Sequence, residues 1–259
     1  MLRAVIFDYG NTLVGIDPST PSSRTDYADV VAHPCAERLA AHLEERGLRF
    51  GRGGKGAFVD RFLEIRERNR RTADQSGREI TAAESLAESL GDEGSRPLSA
   101  AAFDEAIRAL FAYEESCIVP LDGALRTLEF LREAGTRIAL LSNATDGSYI
   151  ERVATRLGMR NFFDPFVVSA DIGVRKPRTE AFRAVLNVWS LPVASVAMVG
   201  DSLHHDVDGA NRLGLRSIHF TQIANPGDPA LQGTIVPSMV ATTHKSLRAS
   251  LASLFDPSS

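Results

Sequence analysis

Residues 3–12 read Arg3-Ala4-Val5-Ile6-Phe7-Asp8-Tyr9-Gly10-Asn11-Thr12. A β-branched, apolar run that stops at an acid and then at turn residues predicts a buried strand over Arg3–Phe7, with Asp8 just past its carboxyl end. The pattern returns late in the chain. Arg137–Leu141 stops at Ser142-Asn143, Phe166–Ser169 before Asp171, Ser195–Val199 at Gly200-Asp201, and Arg216–Phe220 at Thr221. Amphipathic helical patterns lie between them, over Asp122–Arg132, Ser148–Arg156, Thr179–Val188 and Asp206–Leu213. Asp122 suits an N-cap, and Gly135, Gly158 and Gly214 suit positions just past helix ends. Met239–Thr242 and Lys245–Leu254 supply a last strand and helix. Strands alternating with helices predict a doubly wound, mostly parallel α/β sheet covered on both faces.

Residues 16–118 do not alternate. Ala36, Leu39, Ala40 and Leu43 have helical spacing, with Pro34 near the start and Gly47 after the end. Phe58, Val59, Phe62, Leu63 and Ile65 form a second apolar face. Thr81 with Glu84 makes a capping box, and Ser99 caps a helix carrying Phe103, Ile107, Leu110 and Phe111. This predicts a helical module over 16–118 inserted into an α/β core made of 1–15 and 119–259. Gly51–Gly56 and Gly91–Pro97 are turns between those helices. The first contains Gly-Lys, but it lacks both a preceding strand and the Walker spacing, so it is read as a turn rather than a phosphate loop.

Composition narrows the function classes. The 259 residues are 44% hydrophobic and 24% charged, which excludes a disordered chain. The balance of 29 Lys+Arg against 33 Asp+Glu gives −4, with Arg66–Arg71 the one basic stretch, interrupted by Glu67 and Asn69. No nucleic-acid or anionic-membrane footprint is expected. Asp8 breaks the first apolar run too early for a signal-peptide core, and no stretch reaches the roughly 20 apolar residues of a membrane span. Cys35 and Cys117 have no CxxC spacing; a disulfide between them is feasible on paper, but nothing else indicates an oxidising compartment. A cytoplasmic protein is expected, as monomer or homodimer.

The informative fact is where the polar residues fall. Asp8, Ser142-Asn143, Lys176 and Asp201 all follow apolar strands or sit in the loops after them. In an open parallel sheet those loops gather along one edge, where ligands bind. Asp8 is a carboxylate able to attack an electrophilic centre. Asp201, with Asp206 five residues on, can hold a hard divalent cation beside it, although Asp206 also suits the first turn of a helix. Lys176 can keep Asp8 ionised and bind an anion, or it can be a solvated loop lysine. Ser142 and the backbone amides after it can donate to phosphoryl oxygens. Thr12 can bind ligand or tie its turn. The adjacent His204 and His205 are poor joint metal ligands, because neighbouring helical side chains diverge.

Four motifs, IFDYGNTL, LLSNAT, VRKPRTEAF and MVGDSLHHDVDGA, occur in an order that resembles the haloacid dehalogenase-like hydrolase superfamily. The resemblance covers residues 1–14 and about 119–220, and the helical insert falls where that family places its helical cap. It implies a Mg2+-dependent hydrolase, most often a phosphatase acting on a small phosphorylated metabolite. Asp8 is then the nucleophile, Thr12, Ser142, Asn143 and Lys176 bind phosphate, and Asp8, the Gly10 carbonyl, Asp201 and Asp206 hold the ion.

The sequence departs from this pattern at Gly10. Phosphatases of the family carry a second Asp there, which protonates the leaving group and then activates water; Gly10 does neither. Family members with other chemistry also lack that Asp: haloacid dehalogenases usually have Tyr, and phosphonoacetaldehyde hydrolases have Ala. Carbon–halogen or C–P hydrolysis, and a catalytically weakened binding protein, therefore stand beside the phosphatase.

Overall fold

A computed structural model describes residues 1–20, 31–91 and 98–255; the turn expected at Gly91–Pro97 lies outside them beyond Gly91. The first apolar run forms β1 (Ala4–Phe7), and Val14–Ile16 forms the short β2. Four helices follow: α1 (His33–Glu45), α2 (Gly54–Ser76), α3 (Ala82–Leu90) and α4 (Ala100–Cys117). Next come β3 (Ile118–Pro120), α5 (Ala124–Glu133), β4 (Arg137–Ser142), α6 (Gly147–Arg156), β5 (Phe166–Val168), α7 (Ser169–Ile172) and α8 (Thr179–Trp189). The chain then forms β6 (Val196–Gly200), α9 (Gly209–Leu213), β7 (Arg216–Phe220), β8 (Met239–Ala241) and α10 (His244–Phe255).

Six strands form one sheet in the order β5-β4-β1-β6-β7-β8, and β2 pairs separately with β3. Every pairing in the large sheet is parallel. The chain winds outward from β1 through β4 to β5, then crosses back to β6, β7 and β8. Winding therefore reverses beside β1, and such a reversal opens a crevice at the carboxyl ends of the strands. The register places Phe7 opposite Val199, so the loops after β1 and β6 start side by side. On one face Ala4, Ile6, Ala139, Leu141 and Met198 pack against Phe182, Val185 and Trp189 of α8. The alternate residues Val5, Phe7 and Leu140 are equally buried, as a strand covered on both faces requires.

The described chain divides into two compact units. One comprises Met1–Gly15, Gly77–Glu79 and Val119–Ser259; the other comprises Ile16–Ser76 and Ile80–Ile118. The second unit is built from α1 to α4. Proline occupies the first turn of α1, Thr81 and Glu84 form the expected capping box, and Ser99 caps α4. Cys35 and Cys117 are both buried and free. Of the stretch Gly51–Gly56, the last three residues already belong to α2. No described helix is long and apolar enough to cross a membrane.

Several local expectations change. Asp122 caps nothing: α5 starts after Gly123, which has φ 82° and no side chain to offer. The helix expected from Asp206 begins earlier, as a π-helical turn over Leu203–Asp208 capped by the Ser202 hydroxyl and continued by α9. The segment Gly77–Glu79, expected within the helical insert, belongs to the α/β unit instead. Glu79 is buried, accepts from Ser169 Oγ at 2.5 Å, and lies 3.4 Å from Arg175 Nη1. Its amide donates to the Gly173 carbonyl, and Arg175 N–H donates to Gly77. A buried carboxylate needs partners of this kind, and Ser169 and Arg175 of the α/β unit supply them.

Candidate active site

Asp8 follows β1 directly, and its amide continues the sheet by donating to the Val199 carbonyl at 2.9 Å. Its carboxylate is engaged on both oxygens. Lys176 Nζ donates to Oδ1 at 2.6 Å, and Thr12 Oγ1 donates to Oδ2 at 3.3 Å. Thr12 is fully buried, and its hydroxyl is directed at Asp8. Asn11, between them in the loop, has φ 53°, a left-handed conformation that Asn tolerates better than most residues. Its side-chain amide donates to Asp201 Oδ2 at 3.3 Å.

Lys176 is buried to 1% exposure and bridges two acids, because Nζ also donates to Asp206 Oδ1 at 2.7 Å. The reading of Lys176 as a solvated loop residue is thereby excluded. Its backbone is held by Asn143: Lys176 N–H donates to Asn143 Oδ1 at 2.9 Å, and Asn143 Nδ2 donates to the Lys176 carbonyl at 3.0 Å. Both polar atoms of the Asn143 side chain thus contact the Lys176 backbone. Ser142 ends β4, buried to 4%. Of the amides after it, that of Ala144 donates to Ser169 Oγ at 2.9 Å.

Asp206 lies inside the π-helical turn rather than opening a helix. Its Oδ2 accepts from Ser202 N–H at 3.0 Å while Oδ1 takes Lys176. A Cβ on Gly200 would fall 2.2 Å from the Asp206 carboxyl, so this approach requires glycine there. His204 and His205 stand on the same turn with ring centroids 4.9 Å apart, edge to face. The two rings are in contact, against the expectation that they diverge. Neither belongs to the acidic cluster.

That cluster is Asp8, Asp201 and Asp206, whose oxygens lie within 4.8 Å of one another. Three buried carboxylates face one ammonium, and the electrostatics record the shortage of positive charge. Burial, then repulsion from Asp8 and Asp206, pushes Asp201 up to about 8. Burial also raises Asp8, with Lys176 pulling against it and Asp206 adding to the rise. Burial lowers Lys176, but Asp206 and Asp8 outweigh it and hold the ammonium above its ordinary value. An all-oxygen donor set with excess negative charge fits a hard divalent cation. The Gly10 carbonyl is also open to one: among the described residues it accepts no backbone hydrogen bond, whereas the Tyr9 carbonyl accepts from both Leu13 and Val14.

Other residues that complete the site carry little sequence signal. Asn225 Nδ2 donates to Asp201 Oδ2 at 3.1 Å. Asp228 is buried and accepts from Leu203 N–H at 2.8 Å, and His219 Nε2 lies 2.7 Å from its other oxygen. His244, at the start of α10, donates through Nε2 to the Thr12 carbonyl at 2.9 Å, 232 positions away in sequence. The Asn-Pro-Gly-Asp run at Asn225–Asp228 is a recognisable turn former, but nothing local says what it faces.

Residues 2–214 match the family model described as haloacid dehalogenase-like hydrolase. A ribulose-1,5-bisphosphate 5-phosphatase of Halopiger xanaduensis is 28% identical over 226 residues, covering 85% of each chain. A glyceraldehyde 3-phosphate phosphatase of Methanopyrus kandleri is 26% identical over 85% of this chain and 84% of its own. Among solved structures, a 2-haloacid dehalogenase from Pseudomonas syringae pv. tomato superposes with a TM-score of 0.69 at 22% identity, over 97% of this chain and 99% of the other. That last likeness is one of fold.

Proposed function

We propose that this chain, which belongs to the haloacid dehalogenase-like hydrolases, is a Mg2+-dependent phosphatase acting on a small phosphorylated metabolite in the cytoplasm. The observation that carries the proposal is Asp8 Oδ1 held 2.6 Å from the buried ammonium of Lys176, within a cluster of three carboxylates. The phosphatase relatives named above support the substrate class.

In this reading an Asp8 oxygen attacks phosphorus, the P–O bond to the leaving alcohol breaks, and an aspartyl phosphate forms. Water then attacks that phosphorus, releasing phosphate and returning the carboxylate. Lys176 favours the ionised form of Asp8 against its burial and offers positive charge to the phosphoryl oxygens. Ser142 supplies a hydroxyl donor at the end of β4, with Asn143 positioning Lys176. Asp8, the Gly10 carbonyl, Asp201 and Asp206 would hold Mg2+, which when bound offsets the repulsion between these carboxylates and the phosphate. The helical unit acts as a cap that selects the substrate.

Gly10 leaves the leaving group without the usual acid, so esters with weakly basic leaving groups are the better substrates. The same residue favours a second reading, carbon–halogen hydrolysis by Asp8, because halide departs without a proton. One assay separates them: release of phosphate from sugar phosphates and aryl phosphates, and of halide from 2-haloacids, each with Mg2+ and with chelator. Metal-dependent phosphate release supports the phosphatase; metal-independent halide release supports the dehalogenase. Asp8→Asn should lower either activity by at least about 100-fold, and a smaller loss removes Asp8 as nucleophile.

A further inference from the structure

The acidic cluster is reached from a part of the chain that none of the four motifs contains. After β7, residues Asn225–Asp228 form a turn closed on itself: Gly227 N–H donates to Asn225 Oδ1 at 3.1 Å and Asp228 N–H to the Asn225 carbonyl at 3.2 Å. From this turn two side chains reach the loop after β6. Asn225 Nδ2 donates to Asp201 Oδ2 at 3.1 Å, the same oxygen that accepts from Asn11 at 3.3 Å. Asp228 accepts from Leu203 N–H through Oδ1 at 2.8 Å and faces His219 Nε2 through Oδ2 at 2.7 Å. His219 Nε2 is also 3.1 Å from the Asp201 carbonyl oxygen. Both of its neighbours are acceptors, so Nε2 carries the proton, and Asp228 fixes that tautomer and ring orientation.

The loop Asp201–Leu203 is therefore held at its side chain, at its first carbonyl and at its third amide. We propose that Asn225 and Asp228 are positioning residues that hold Asp201 ready for a divalent cation, a role that rests on the metal-dependent reading above. The physical argument is one of preorganisation. An Asp side chain rotates about two torsions, and ordering it on binding costs affinity. Two amide donors on Oδ2 restrict the rotation of the carboxylate. The Asp228–His219 pair fixes the backbone from which that side chain projects. Hydrogen bonds to ligating groups commonly carry about 10- to 100-fold in metal affinity.

The test is Mn2+ titrated into the full-length protein, with the free ion followed by electron paramagnetic resonance, beside a thermal melt of each metal-free variant. Asn225→Ala should weaken Mn2+ binding about 10-fold or more with little change in melting temperature, since Asn225 is only partly buried. Asp228→Asn keeps an acceptor for Leu203 and loses the anionic partner of His219; it should weaken binding by several-fold at least. As a control, Asn211→Ala loosens a contact to the Val236 carbonyl elsewhere in the same tail and should leave Mn2+ affinity unchanged. Wild-type affinity in Asn225→Ala and Asp228→Asn, with the wild type binding Mn2+, overturns this proposal alone. A wild type that binds no Mn2+ overturns the metal-dependent reading and this proposal with it.

Discussion

Asn143 and Lys176 hold each other reciprocally: the amide of Lys176 donates to Asn143 Oδ1 at 2.9 Å, and Asn143 Nδ2 returns a hydrogen bond to the Lys176 carbonyl at 3.0 Å. The pair anchors the backbone from which the buried ammonium reaches Asp8 and Asp206. Asn143→Ala removes both bonds, and Lys176 Nζ loses its fixed distance to the nucleophile. Misplacement of a reacting group by about 1 Å can cost roughly 100-fold. We expect kcat to fall by about 10- to 100-fold, with a smaller change in KM, in steady-state kinetics on the best phosphate ester.

Gly10 is free to carry a side chain. Its φ lies outside the left-handed region, and a Cβ built there meets nothing within 4 Å. Gly10→Asp should therefore fold normally and restore a carboxylate where the leaving group needs a proton. A general acid contributes about 100- to 10,000-fold where the leaving group is basic. The gain is expected on alkyl phosphates and should be slight on aryl phosphates. A well-folded variant with no gain on any alkyl phosphate counts against phosphate monoesters as substrates.

The excess of negative charge makes a stability prediction. In metal-free buffer, burial, Asp8 and Asp206 raise Asp201 from 3.8 to about 8, so the stability it contributes is complete below the ordinary carboxylate value and is lost as pH rises toward 8. Saturating Mg2+, at a hundredfold excess over its Kd, should stabilise the protein by about 2.7 kcal/mol, a rise of roughly 5–10 °C for a chain of this size. Asp201→Asn should melt above the metal-free wild type and respond little to Mg2+. Differential scanning calorimetry with and without chelator reads both effects.

His244 sets a pH dependence at the opposite end of the first loop. Burial, with Arg248 adding a smaller push, holds this imidazole at about 4, below the ordinary 6.5. A depressed histidine means that the unfolded chain binds more protons between those values. The stability it protects is complete above pH 6.5 and is lost as pH falls toward 4. Urea unfolding should show the wild type losing about 2–3 kcal/mol between pH 7.5 and 4.5 relative to His244→Gln, a variant that keeps a donor for the Thr12 carbonyl but does not titrate. Equal slopes in the two proteins would remove His244 as the cause.

The parallel sheet, the helices around it and the positions of Asp8, Lys176, Asp201 and Asp206 after its strands were legible in the amino-acid sequence. Buried strands and amphipathic helices impose a local periodicity, and the turn residues that end them mark which loops share an edge. Local pattern was silent where partners are distant. Nothing around Glu79 distinguishes it from the exposed acids of neighbouring helices; its burial against Ser169 and Arg175 exists only once residues 90 and 96 positions apart meet. The same holds for Asn225 on Asp201, for His244 beneath Thr12, and for the π-helical turn that brings Asp206 back to Lys176. Each of these is a hydrogen bond that a buried polar group must make somewhere. The tertiary fold, not the sequence near that group, decides where.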